Sequence, residues 1–122
     1  MRFTQDSTSA ANLIRAYGAG ELRINDAVFR EPVIVSAAAI AAAPEISGVA
    51  ALRAAHAAPL LAFEPELVLL GTGVRQQFPD PEFGAQFLRA GIGFEVMDTG
   101  AACRTFNVLV AERRRVAALL LP

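Results

Sequence analysis

Short apolar runs alternate with helix-like stretches along the second half of the chain. Near-continuous apolar runs indicate buried strands, whereas apolar residues that recur every three or four positions indicate helices. The pattern predicts strands at 66–70, 93–98 and 116–121, with helices at 82–90 and 100–113 between them. This order of strand, helix, strand, helix, strand predicts an α/β fold in which helices cover both faces of a sheet.

The first half of the chain has a β-rich pattern. Apolar and polar residues alternate at 12–17 and 21–24 around Gly18-Ala19-Gly20, which is the signature of a hairpin. A further strand is predicted at 27–35. Because Pro32 cannot donate a hydrogen bond to a neighbouring strand, it indicates an edge or a bulge at that point.

Residues 36–57 are harder to assign. The alanines of 36–43 favour a helix, but their position after a β-branched run also permits a strand. Apolar residues then recur at helical spacing, so a helix is expected over 44–57. Pro59 would close that helix.

Length and composition favour a single domain covering residues 1–122. The hydrophobic fraction is 54%, much of it alanine. The longest apolar stretch, 33–43, is far shorter than the ~20 residues that a membrane-spanning helix needs. The polar N-terminus also lacks the apolar segment of a signal peptide. We therefore expect no membrane span and a soluble, cytoplasmic protein.

The charge pattern gives little support for a charged partner. The net charge is −1, and all 11 basic residues are arginine, which together with the alanine content is typical of a GC-rich genome. Arg113-Arg114-Arg115 lies at a predicted helix end, where cations suit the negative end of the helix dipole. A stabilising or solvated role and an anionic-partner site are the two interpretations. We expect no nucleic-acid binding, because no basic stripe is present.

Two strand ends predict a candidate ligand site. Strand 66–70 stops at a glycine turn, and strand 93–98 ends beside Thr99. If the crossover between them is right-handed, both strands end at the same edge of the sheet, where open α/β sheets bind ligands. Glycine-turn N–H groups and the N-terminus of a helix capped by Thr99 suit an anion. The candidate small-molecule or anion site comprises Gly71, Thr72, Gly73, Arg75, Asp98 and Thr99.

A tight turn without a ligand is the alternative interpretation of that site. The turn lacks the third glycine of a dinucleotide fingerprint and the Gly-Lys pair of a phosphate-binding loop. We therefore expect no nucleotide or other cofactor.

Residues suited to catalysis are few. Cys103 lies on the first turn of the predicted last helix, a position that can lower a thiol pKa, but nothing in the spacing brings His56 to it as a base. A packed cysteine and a helix-end histidine are therefore expected. A single cysteine and a single histidine leave no internal disulfide or multi-cysteine zinc site, so we expect no catalytic residues and no metal. Asn107, in a helix interior, is expected to hydrogen-bond a neighbouring loop.

Several motifs of the second half occur in an order shared with a known family. They are Gly71-Thr72-Gly73, Phe83 with Gly91-Ile92-Gly93, Glu95-Val96-Met97-Asp98-Thr99, the segments 101–109 and 112–119, and Leu121-Pro122. In these motifs residues 66–122 resemble a family of small domains found in bacteria, archaea and mitochondria. The family includes mitochondrial complex I assembly factor 3 and the adipogenesis-associated domain-containing protein.

This resemblance implies a three-layer (β+α)/β/α fold with a central mixed sheet. It implies no established enzyme activity. It favours a non-enzymatic protein-binding or assembly-factor module of bacterial type, with protein partners in membrane-complex assembly. A small-molecule- or anion-binding domain and a homo-oligomer joined through an edge strand or helix are the alternatives. The chain departs from the family in having no tryptophan and in its alanine-rich 37–43 segment.

Overall fold

The structure is a computed structural model that describes residues 10–122. A three-stranded antiparallel sheet comes first, with β1 (Ile14–Gly18), β2 (Glu21–Ile24) and β3 (Ala27–Phe29). A five-stranded sheet contains β4 (Val33–Ser36), β5 (Ile40–Ala42), β6 (Leu67–Gly71), β7 (Gly93–Met97) and β8 (Val116–Leu120). The helices are α1 (Ala58–Leu61), α2 (Pro81–Arg89) and α3 (Thr99–Ala111).

The five-stranded sheet is mixed, with the strand order β5-β4-β8-β6-β7. Strand β6 pairs in parallel with both β7 and β8, whereas β4 pairs antiparallel with β8 and with β5. The central strands are the most apolar, and every residue of β8 is buried. The predicted order of strands and helices over residues 66–122 is confirmed, as is the central mixed sheet.

Hydrophobic residues form a separate core on each face of the five-stranded sheet. Val68 and Leu70 of β6 face one side and pack in a core with Phe83 of α2. Leu69 faces the other side and shares a core with Phe106 of α3 and with β2 of the three-stranded sheet. Because side chains alternate along a strand, one strand supplies both cores. The expected three-layer (β+α)/β/α architecture is confirmed.

The N-terminal hairpin forms as predicted and is fixed to α3 by a side-chain amide. Ala19 and Gly20 both have positive φ, 54° and 78°, as a two-residue hairpin turn requires. The Ile14 N–H donates to Asn107 Oδ1 at 2.9 Å, and Asn107 Nδ2 donates back to the Ile14 carbonyl at 2.8 Å. Asn107 therefore pairs with β1 much as a neighbouring strand would.

The single strand predicted at 27–35 is wrong. Strand β3 ends at Phe29 and β4 begins at Val33, and the two belong to different sheets. Pro32 lies at the break, where its carbonyl accepts from the Ala43 N–H at 2.7 Å. The chain leaves one sheet and enters the other across the exposed residues Arg30 and Glu31.

The helix predicted over 44–57 is also wrong. The chain instead forms two 3-10 turns, Val49–Ala51 and Ala54–Ala57, and Leu52 between them is extended and fully buried. Burial at every third residue, from Ile46 through Leu52, suits 3-10 geometry better than a helical face. Pro59 consequently lies in the first turn of α1 and does not close a helix.

Candidate functional site

The structure brings the two predicted strand ends together. Because β6 and β7 are parallel, the residues after Gly71 and after Met97 meet at one edge of the sheet. The Thr99 N–H donates to the Gly73 carbonyl at 2.9 Å, and the Gly73 N–H donates to Thr99 Oγ1 at 2.7 Å. Gly73 and Thr99 are therefore linked by two direct hydrogen bonds.

Backbone N–H groups of the glycine turn already donate to protein atoms. The Thr72 N–H donates to the Met97 carbonyl at 2.9 Å, and the Gly73 N–H is taken by Thr99. The buried Thr72 hydroxyl donates to the Arg75 carbonyl at 2.7 Å and accepts from the Gln77 N–H at 3.1 Å. These two amides are committed to the fold, so an anion at this edge would need other donors.

Gly71 is closely packed. A Cβ atom at this position would lie 3.0 Å from a Leu120 methyl, 3.1 Å from the Ala102 Cβ and 3.1 Å from the Thr99 Cα. The glycine therefore permits the close approach of β6 to β8 and α3. The space that a side chain would occupy at this position is filled by protein atoms.

The cap of α3 is Asp98, and the prediction that Thr99 caps this helix is wrong. Asp98 Oδ1 accepts from the Ala101 N–H at 2.8 Å. Thr99 is the first helical residue, and its buried hydroxyl donates to the Leu121 carbonyl at 2.6 Å. A carboxylate thus occupies the positive end of the helix, where an anionic ligand would otherwise bind.

An open groove of about 350 Å³ lies beside the turn. The tip of the β1–β2 hairpin forms one wall, and Gly73, Asp98 and Gly100 form the other. Arg104 donates a hydrogen bond to the Tyr17 hydroxyl, and its guanidinium carbon lies 5.8 Å from the centre of that ring. Of the predicted site residues, Gly73, Asp98 and Thr99 line this groove.

Tyr17 and Arg104 are groove residues that the sequence does not identify. The sequence gives one indication of this contact, which is the glycine at position 100 inside the first turn of a helix. A Cβ there would lie 2.8 Å from the Tyr17 ring, so the glycine permits a close approach. Its partner cannot be deduced, because the hairpin is more than 80 residues away along the chain. Arg75 has an exposed side chain and is absent from the groove lining. Ligand binding by the six predicted residues stays a prediction.

Cys103 is packed, as expected from the sequence. Its side chain is buried in the core beneath α3, and burial raises the pKa of the thiol to about 12. A thiol with this pKa is almost fully protonated at neutral pH and is a poor nucleophile. His56 Nδ1 accepts from the Arg53 N–H at 2.9 Å. Within residues 10–122, no cluster of histidine, cysteine and acidic side chains has the geometry of a metal site.

Two members of the arginine cluster contact the start of β6. The Arg115 N–H donates to Glu66 Oε1 at 2.9 Å, and Arg114 Nε lies 3.2 Å from the same oxygen. These hydrogen bonds, that of the Arg115 N–H above all, lower the pKa of the Glu66 carboxyl. The Arg114 side chain and the Arg115 backbone therefore join the chain after α3 to the residue before β6. The last turn of α3 itself contains no basic residue, so the cluster does not lie at the helix end where the dipole argument placed it.

The β6–α2 loop, residues 72–80, and helix α2 expose large apolar side chains. Val74 is 96% exposed and Phe78 is 75% exposed, and Leu88 on the following helix is 68% exposed. A second groove, of about 320 Å³, lies between this loop, α2 and β7, and its lining includes Phe78, Leu88, Phe94 and Val96. We call it the β7 groove.

Gly84 shapes the floor of the β7 groove. A Cβ at this position would lie 2.8 Å from the Phe94 ring, which therefore rests directly on the helix backbone. The Phe94 ring also stacks on Phe87, with ring centres 5.2 Å apart. The groove consequently has a rigid aromatic floor continuous with the core.

Comparisons with known proteins assign the chain to a family. Residues 14–121 match the family described as a protein of unknown function, DUF498/DUF598, and the chain belongs to that family. A crystal structure of a protein from Bordetella parapertussis is similar with a TM-score of 0.83 at 40% identity, covering 93% of this chain and 97% of that one. The family resemblance inferred from the motifs is confirmed.

Several relatives carry descriptive names, including an assembly factor and a protein named as a membrane protein. The NADH dehydrogenase (ubiquinone) 1 alpha subcomplex assembly factor 3 of Xenopus tropicalis is 46% identical over 57 residues, which are 47% of this chain and 31% of that protein. The 13 kDa major membrane protein of Francisella tularensis subsp. holarctica is 29% identical over 122 residues, 99% of both chains. The chain therefore spans about a third of the assembly factor and nearly all of the bacterial relative.

No helix within residues 10–122 has both the length and the apolar character needed to cross a bilayer. The bacterial relative is nevertheless named as a membrane protein. The cytoplasmic location inferred from the sequence stays a prediction.

Proposed function

We propose that this chain is a non-enzymatic protein-binding module that serves, like complex I assembly factors, in building a membrane complex. The observation that carries the proposal is the exposure of Phe78 and Leu88, which line the same groove. Grouped apolar side chains that remain in water are characteristic of protein-interaction surfaces. The family includes proteins named as assembly factors, which supports a role of this kind.

The chemistry of the described residues also favours binding over catalysis. Cys103 is buried with a raised pKa, and the His56 ring nitrogen Nδ1 is occupied by a backbone N–H. An activated nucleophile needs a neighbouring base or a lowered pKa, and neither accompanies this thiol. The glycine turn is likewise hydrogen-bonded to the fold. The exposed side chains of Phe78 and Leu88 are then conspicuous surface features of residues 66–122.

Site-specific photo-crosslinking would test the proposal. Phe78→benzoylphenylalanine keeps an aromatic side chain at the exposed loop, and Val108→benzoylphenylalanine is a control on α3, where Val108 is 56% exposed. We expect position 78, and not position 108, to form a defined adduct in native membranes and lysate. Mass spectrometry should identify the captured protein as a subunit or assembly protein of a membrane complex.

Two results would contradict the proposal. One is the failure of position 78 to form any adduct under conditions in which the probe labels an added test protein. The other is an identical set of adducts from positions 78 and 108, which would indicate nonspecific contact.

A small-molecule-binding domain is the second candidate function. It is favoured by the 350 Å³ groove, in which Asp98 and Arg104 place opposite charges near the Tyr17 ring. Nucleotides, phosphates and redox cofactors screened by thermal shift would test it, because a ligand that binds the native state raises the melting temperature. No stabilisation at high ligand concentration would count against this candidate.

A further inference from the structure

Strand β7 ends the five-stranded sheet, and part of its backbone faces away from it. The Gly93 N–H donates to the Glu66 carbonyl at 3.0 Å, and the Met97 carbonyl accepts from Thr72 at 2.9 Å, so these two residues face β6. Because backbone groups alternate in direction along a strand, those of Phe94 and Val96 face outward. Gln76 Nε2 donates to the Val96 carbonyl at 2.9 Å, which confirms that direction. No strand within residues 10–122 pairs with this edge.

The outward-facing backbone adjoins the β7 groove. The side chains of Phe94 and Val96 lie on the α2 face and help to line the groove, together with Phe78 and Leu88. A strand added to β7 would direct alternate side chains to this same face. Outward-facing backbone groups without a strand partner and an adjoining apolar groove are the two parts of a site for strand addition. The backbone supplies affinity, once the Gln76 side chain leaves the Val96 carbonyl, and the groove supplies specificity.

The charge at the centre of β7 distinguishes between the strands that could pair with this edge, a second copy of the chain or a segment of another protein. Glu95 is exposed and has no ion-pair partner among residues 10–122. Two copies paired antiparallel through Phe94 and Val96 would place the Glu95 of each copy directly opposite the other. Like charges in that position are destabilising, whereas an opposite charge is stabilising. The edge therefore suits a partner segment with a basic residue at its centre better than it suits a second copy.

We propose that β7 binds an extended segment of a partner protein, in which apolar residues alternate and an arginine or lysine lies opposite Glu95. This inference rests on the proposed protein-binding function and specifies the chemistry of the partner. The segment forms backbone hydrogen bonds with Phe94 and Val96 and inserts an apolar side chain into the β7 groove.

Hydrogen exchange combined with peptide selection tests the proposal. A displayed library of random ten-residue peptides is selected against the full chain, and exchange of individual amides is followed by NMR. We expect the Phe94 and Val96 amides to exchange rapidly in the free protein and to slow by at least about tenfold in the complex. The selected peptides should be extended, with a basic residue at the centre.

Charge reversal identifies the side-chain contact. We expect Glu95→Arg to weaken the selected peptides about tenfold, because an attractive cross-strand pair becomes repulsive. Peptides in which glutamate replaces the central basic residue should regain that affinity on the variant. Glu31→Arg, an exposed acid between β3 and β4, is the matched control and should bind as the unaltered chain does.

Several outcomes would overturn the proposal. They are slow exchange of both amides in the free protein, selected peptides that leave these amides unprotected, and equal binding to the Glu95→Arg and Glu31→Arg variants. A partner captured at Phe78 together with any of these results would leave the protein-binding function standing without the β7 site. Peptides that bind β7 while position 78 captures nothing would support the β7 site and count against the proposed role in building a membrane complex.

Discussion

The glycine turn and strand β7 are neighbours at the end of the central sheet, yet their backbone polar groups differ in how far they are hydrogen-bonded within the protein. At the turn, the N–H groups of Thr72 and Gly73 and the carbonyls of Gly71 and Gly73 all have partners within the protein. Along β7, the backbone of Phe94 and Val96 faces outward, and within residues 10–122 its one side-chain partner is Gln76.

This difference separates residues that maintain the fold from residues available to a partner. Backbone donors and acceptors in a buried turn must be satisfied, and once satisfied by the protein they have little capacity for a ligand. An edge strand retains that capacity, and proteins usually protect such edges with charge or side-chain contacts. The segment 66–122 therefore combines a turn whose polar groups are satisfied with an edge strand whose outward backbone is partly free.

The strongest test of the closed turn is Thr99→Val. We expect the free energy of unfolding to fall by about 2–6 kcal/mol, because the Gly73 N–H and the Leu121 carbonyl each lose a buried partner at a cost of about 1–3 kcal/mol. Urea denaturation measures the change. Thr105→Val on the same helix is the control, since its hydroxyl makes one long contact of 3.5 Å with Met97 Sδ. An equal loss in both variants would refute the closed-turn interpretation.

A smaller effect is expected for Gly71→Ala. The added methyl group would press on Leu120, Ala102 and Thr99 at 3.0–3.1 Å, and such overpacking costs about 1–3 kcal/mol. Gly48→Ala is the matched control, because no heavy atom lies within 4 Å of its Cβ position and its φ of 169° is extended. Thermal and urea unfolding of both variants should show a loss for position 71 and little change for position 48. A fully stable Gly71→Ala would contradict the close packing of β6 against β8 and α3 at this glycine.

The second half of the fold was predictable because its signals are local. Apolar strands bounded by glycines or polar caps specify β6, β7 and β8 without knowledge of their neighbours. Asp98 and Thr99 are both favourable capping residues, so sequence alone does not choose between them. The choice depends on the Leu121 carbonyl, which binds the Thr99 hydroxyl from 22 residues away.

The first half shows what local signals omit. An alternating pattern identifies strand residues but not the sheet they join, so β3 and β4 resemble one strand interrupted by Pro32. Alanine-rich segments carry weak packing information, which is why 44–57 resembles a helix. At the site, the predicted parallel arrangement of two strands was enough to place Gly73 close to Thr99. The internal hydrogen bonds and the contact between Tyr17 and Arg104 depend on tertiary packing and were not predictable.

The smallest expected effect concerns Gln76, the side-chain link between the loop and the open edge. Gln76→Ala removes an exposed hydrogen bond to the Val96 carbonyl, so we expect the free energy of unfolding to change by less than about 1 kcal/mol. The same change frees that carbonyl for an added strand. Peptides selected on β7 should therefore bind the variant more tightly, by up to about tenfold, in fluorescence anisotropy.

Gln86→Ala supplies the control for this comparison. Gln86 Nε2 also donates to a backbone carbonyl, that of Glu82 at 3.1 Å, but the bond lies on α2 and away from the edge of β7. Peptide affinity should be unchanged in this variant. Removing a group that competes with the partner strengthens binding, whereas removing a group that contacts the partner weakens it. Weaker peptide binding by Gln76→Ala would therefore show that the amide is part of the docking surface. The sign of the change in affinity thus decides whether Gln76 protects the edge or belongs to the site.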